Sequence, residues 1–153
     1  MTMSVGIIML NIRLETGMAL AALALHVMFV AYLSSFYYAL SRPVELGTII
    51  LIPWQLLLAG IFLFGVPGFG LAVVAYILSK RGVPKVVSMI LIAQGILMPL
   101  GMLYASTVAN NITEEYKSAD LLVVPQIFLV AGFALIGLGV HLARLRPVRR
   151  RMM

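Results

Sequence analysis

The sequence contains no cysteine, which excludes disulfides, thiolate metal ligands and covalent c-type haem attachment. Charge is nearly as scarce: 10% of residues are Asp, Glu, Lys or Arg, against 63% hydrophobic. A water-soluble domain of 153 residues would need more polar surface than this to cover its core. Carboxylates are the rarest charge. Glu15, Glu45, Glu114, Glu115 and Asp120 all fall at the ends of apolar segments or between them. The usual carrier of coupled proton or cation transport is therefore not expected inside a span, nor is a carboxylate-bridged metal pair. Ser34-Ser35 has no acid or base beside it, so a hydrolase has nothing to stand on. The run Gly65-Val66-Pro67-Gly68-Phe69-Gly70 is glycine-rich but has no Gly-Lys-Ser/Thr ending, which excludes a phosphate loop.

What the chain has is apolar length, with a mean hydropathy of +1.10. Four segments, about 17–40, 46–79, 86–105 and 121–143, are long enough to cross a hydrocarbon core of about 30 Å. They predict an all-α integral membrane protein: a single domain built as a four-transmembrane-helix bundle, followed by a basic tail at 144–153. The second segment is too long for one upright span, because 46–79 would extend to about 50 Å as a straight helix. A kink is expected at the hinge residues Gly65, Pro67, Gly68 and Gly70. Residues 4–15 are mildly amphipathic and predict a short interfacial helix before the first span. The apolar run that follows is too long for a cleaved signal, so this segment is expected to be retained.

The basic residues fix an expected orientation. With the N-terminus inside, one side holds Arg13, Lys80, Arg81 and Lys85 plus five tail arginines, nine of the eleven cations, leaving Arg42 and Lys117 opposite. Both termini are thus expected on the cytoplasmic side of a plasma membrane. The net charge of +6 reads as topology signal and not as a nucleic-acid surface, because the cations sit at span ends. Arg144, Arg146, Arg149, Arg150 and Arg151 are expected to hold anionic lipid at the inner leaflet, at about 1 kcal/mol each. The sequon Asn111-Ile112-Thr113 would face the outer side. The ten methionines lack metal-like spacing and read as flexible core filler.

Two intramembrane polar residues stand out, His26 and Gln94. Counted from the cytoplasmic ends, both lie roughly 12 to 14 Å deep, as does Gly70. A helix break at that level would free backbone groups that His26 and Gln94 could answer. The structural reading is a pair of interhelical hydrogen bonds; the functional one is a midplane site for a proton, an ion, a quinone headgroup or a metal. His141 lies near the end of its span, about 10 Å shallower than His26, which argues against a haem held by these two imidazoles. The sequence requires no cofactor and no metal.

Small residues open the first span (Gly17, Ala19, Ala21, Ala22 and Ala24) and line one face of the third, at Ser88, Gly95, Pro99 and Ser106, and of the fourth, at Pro125, Gly132, Gly139 and Ala143. They exceed what one small bundle needs. With no catalytic constellation beside them, they lead to an expected function as a non-catalytic, membrane-embedded subunit of a larger complex, a respiratory or other redox complex being one such assembly. Other integral membrane subunits would be its partners. The alternatives are a small oligomeric transporter or channel lined by His26 and Gln94, and a quinone- or haem-binding subunit.

Overall fold

The computed structural model describes residues 2–42, 53–80, 82, 85–112, 114 and 117–145. The described residues are helical apart from short turns, and four helices are long and apolar enough to span a membrane. In chain order the elements are α1 (Thr2–Leu40), α2 (Pro53–Gly60), a π-helical stretch (Ile61–Gly65), α3 (Val66–Ser79), α4 (Lys85–Ala109) and α5 (Ala119–Arg144). The stretches long and apolar enough to span are Leu14–Leu40, Trp54–Ser79, Lys85–Ala109 and Ala119–Arg144.

The first departure from expectation is at the N-terminus. The sequence predicts a separate interfacial helix over 4–15, whereas α1 runs unbroken through that region into the first span. At about 1.5 Å per residue its 39 residues reach about 58 Å, well beyond the thickness of the hydrocarbon core. No proline separates the two segments, and Gly17 alone is too weak a breaker to stop a helix. The far end is better defined. Ser41 donates its hydroxyl to the Tyr38 carbonyl at 2.8 Å, and the Arg42 guanidinium bonds the Tyr38 hydroxyl while lying over that ring.

The expected second span divides differently. Residues 46–52 lie outside the described residues, and the helix begins at Pro53, whose fixed φ and missing N–H suit a first helical position. The departure from α-helical geometry falls at Ile61–Gly65, where the Val66 N–H bonds the Ile61 carbonyl, one residue further back than in an α-helix. Of the hinge residues, Gly65 closes this stretch, while Pro67, Gly68 and Gly70 sit in regular α3.

Helix α1 packs against both α2–α3 and α4, and α4 packs against α5. The α4–α5 contact is the closest. A Cβ on Gly95 would stand 2.6 Å from the Ile136 backbone nitrogen and 2.9 Å from the Gly132 carbonyl oxygen. One on Gly139 would stand 3.0 Å from the Ile92 nitrogen and 3.1 Å from the Ser88 carbonyl oxygen, and one on Gly132 would meet the Pro99 ring. Only glycine lets these backbones approach so closely, and the Ser88 hydroxyl adds a 2.7 Å hydrogen bond to the Gly139 carbonyl. In lipid this packing replaces the hydrophobic effect as the cohesive term. The small faces of the third and fourth spans are therefore occupied by each other. Ala19 and Ala22 of α1 likewise pack with Ala72 and Ala75 of α3. The surplus that the sequence suggested on these faces is taken up inside the bundle.

The fourth side is wider and is bridged by long side chains. Phe29 of α1 meets Phe128 of α5 edge to face at 4.7 Å, and Phe69 of α3 meets Phe128 at 6.0 Å between ring centroids. Near the basic end, Tyr76 and His141 close the α3–α5 gap with a 2.8 Å hydrogen bond.

Candidate functional site

His26 is fully buried on α1, against α3. Its ring meets Phe69 edge to face at 4.7 Å, and a Cβ on Gly68 would stand 3.4 Å from Nε2. Gly68 thus presents bare backbone to the imidazole. Neither ring nitrogen has a hydrogen-bond partner. An imidazole always carries at least one N–H donor, so this site holds an unmatched polar group in an apolar interior.

Gln94 is also fully buried, and its amide donates to the Ala19 carbonyl at 2.8 Å while Oε1 is left without a partner. Ala19 precedes His26 by seven residues, two helical turns, so Gln94 is engaged two turns away from the imidazole. Gly70, expected at the same depth, is exposed and has open space where a Cβ would be. The structure thus sets Gly68 and Phe69 beside His26, and gives Gln94 a different neighbour. His141 bonds Tyr76 and is nowhere paired with His26. Among the described residues no group of three His, Asp or Glu side chains could hold a metal ion. Arg144 is the exposed last residue of α5, and Arg146, Arg149, Arg150 and Arg151 lie outside the described residues.

Sequence reasoning missed three features. Glu15, expected at a span end, is buried to 6% exposure and accepts a long 3.4 Å hydrogen bond from the equally buried Ser79. It lies one residue inside the first spanning stretch. Together with Tyr76, His141 and Lys80, whose ammonium sits 4.9 Å from the Tyr76 ring centroid, it gives the basic end of the bundle a polar floor. Nothing in a single sequence brings Glu15 to Ser79.

The second feature had a signal. Pro125 has no N–H, so the Leu121 carbonyl, four residues earlier, has no helical donor. The buried Tyr37 hydroxyl supplies it at 2.6 Å.

The third is the same chemistry left unanswered. Pro67 removes the donor for the Leu63 carbonyl, and the shift of the Val66 N–H to Ile61 removes that of Phe62. Both carbonyls thus lose their α-helical donor; Phe62 and Leu63 are 67% and 64% exposed as residues, and among the described residues no side chain donates to either carbonyl. On the other side of this irregular stretch Tyr32 does act as a donor, to the Leu56 carbonyl at 2.6 Å, with its ring lodged against Gly60.

No protein-family model, no curated protein and no solved structure matches this chain.

Proposed function

We propose that this chain is a non-catalytic, membrane-embedded subunit of a larger membrane assembly, acting in its assembly and stability. The observation that carries the reading is the loss of the α-helical donors of the Phe62 and Leu63 carbonyls, to the π-helical turn and to Pro67, at two exposed residues nine and ten positions into the helix that begins at Pro53. At about 1.5 Å per residue that is some 13 to 15 Å from the helix start, within the hydrocarbon. Lipid tails offer no donor, and an unsatisfied backbone group there costs several kcal/mol. A neighbouring transmembrane helix carrying Ser, Thr, Asn, Gln or Tyr meets that need.

The proposal includes the orientation read from the basic residues, with both termini cytoplasmic in a plasma membrane and the tail arginines on anionic lipid. It also includes a bend of the second span at the π-helical stretch, where the hydrogen-bond ladder is interrupted.

Purification in mild detergent tests the reading. The chain is expected to migrate on a native gel in a particle larger than one copy, and a monomer under all mild conditions would overturn it. A second reading, a midplane site for a hydrogen-bonding headgroup such as a quinone carbonyl, is favoured by one observation, the unpartnered nitrogens of buried His26. Its test is His26→Leu in the native assembly: loss of bound quinone or of the assembly's activity with the particle intact would support it, and retention of both would remove it.

A further inference from the structure

The two carbonyls deprived of their α-helical donors have a counterpart on the same molecule. Gln126 lies on an exposed face of α5, seven residues inside a spanning stretch, and among the described residues it has no hydrogen-bond partner. A primary amide carries two donors that lipid cannot satisfy. Its depth can be read from contacts. The second and fourth spans run in the same direction, and two contacts set their register: the Cβ position of Gly65 lies 3.7 Å from the Phe128 ring, and Tyr76 bonds His141. Counting two residues back from the first contact on each helix reaches Leu63 and Gln126. They share a level in the membrane.

They cannot meet within one chain. Two residues rotate a helical position by roughly half a turn, so each faces away from the contact through which Gly65 and Phe128 touch. Between copies they can meet. All copies insert with the same orientation, so equal depths come side by side.

We infer that the docking face at Phe62 and Leu63 is filled by a second copy of this chain, whose Gln126 amide donates to the carbonyls freed by Pro67 and the π-helical turn. This rests on the reading of that face as a docking surface and names its occupant. Donor and acceptor lie on different helices and opposite flanks, so the contact is heterologous and joins copies head to tail, closing into a ring where the rotation allows. Phe62, Val66 and Leu63 on one flank, and Ile127 and Val130 on the other, supply the apolar surround.

The absence of cysteine makes the test clean. Two differently tagged populations of the full chain, one carrying Phe62→Cys and the other Ile127→Cys, are co-reconstituted in lipid vesicles and treated with a short bifunctional thiol reagent. A mixed-tag dimer is expected, with little product when Phe62→Cys is replaced by Ile77→Cys, which lies about 20 Å deeper by residue count. Adding Gln126→Leu to the Ile127→Cys population, or Pro67→Ala to the other so that residue 67 regains an N–H for Leu63, is expected to weaken association about 3- to 15-fold each, the range of single interhelical hydrogen bonds. No mixed-tag product, or one indifferent to both substitutions, overturns the inference. If Phe62→Cys links only to a different membrane protein in native membranes, the second copy is wrong and the docking face stands. If it links to nothing there either, both fall. A mixed-tag dimer formed by a chain that joins no further protein supports the inference and limits the assembly to copies of this chain.

Discussion

The hydrogen bond from Tyr37 to Leu121 gives a quantitative test of how this bundle handles its prolines. Removing the hydroxyl with Tyr37→Phe leaves the ring and its packing against Phe36 in place. An average interhelical hydrogen bond in a membrane contributes only about 0.6 kcal/mol, because the unfolded helix in lipid also finds partners. The Leu121 carbonyl differs from the average case: Pro125 denies it a helical donor in the unfolded reference as well as in the folded state. Leaving a buried acceptor unmatched costs about 1 to 3 kcal/mol, so Tyr37→Phe is expected to destabilise the bundle by about 1.5 kcal/mol. The companion substitution is Pro125→Ala, which restores an N–H four residues after Leu121. In that background Tyr37→Phe should cost less than about 0.5 kcal/mol, leaving a coupling energy near 1 kcal/mol, above the scatter of independent sites. The assay is reversible unfolding in mixed micelles by added SDS, or steric trapping, on the four chains of the cycle. Equal costs of Tyr37→Phe in the two backgrounds would refute the reasoning, since the hydroxyl would then not be standing in for the missing amide.

Three further outcomes are expected. Gly95→Ala should separate α4 from α5 and cost on the order of 2 to 3 kcal/mol, because the obstructing atoms are backbone. Gly137→Ala, on the same helix pair but with open space at the Cβ position, should be neutral or stabilising by up to about 1 kcal/mol; similar unfolding curves for the two would contradict the close contact. His26→Leu should leave stability unchanged or raise it by up to about 1 kcal/mol, because it removes a buried group without a partner; a clear loss in the same unfolding assay would mean that the imidazole is bonded. Single cysteines at Ser4 and Met153 should both be labelled by an impermeant thiol reagent only from the cytoplasmic side, and labelling of either from outside would refute the proposed orientation.

Much of the architecture was legible in the residues. Apolar length led to four helices long enough to span a membrane, although the start expected for the second, at residue 46, lies outside the described residues and its apolar stretch begins at Trp54. That α4 and α5 each carry a close-packing face could also be read, as Gly95 and Pro99 recur on one and Gly132 and Gly139 on the other. What could not be read is which small faces seek each other, because glycine spacing encodes closeness without naming the neighbour. That is why a surplus at Gly132 and Gly139 turned out to be a filled contact. The site was legible only to the extent of His26 and Gln94 being buried. Counting residues placed them at one depth with Gly70, but the helices are offset, so Gly68 meets the imidazole and Ala19 meets the amide. Glu15, Tyr76 and His141 come together only through tertiary placement. Gln126 escaped notice because polarity near a span end looks interfacial until the register of its neighbour is known.

The glycine-lined contact also joins the two spans nearest in sequence at that end of the protein, linked by residues 110–118. During synthesis this hairpin can zip as soon as α5 clears the insertion machinery. A nascent chain stopped before Leu121 exposes the bare backbone of α4 with nothing to shield it. Premature termination there should mark the product for membrane proteolysis more strongly than truncation after Arg144, although both lack only the chain's last quarter or less.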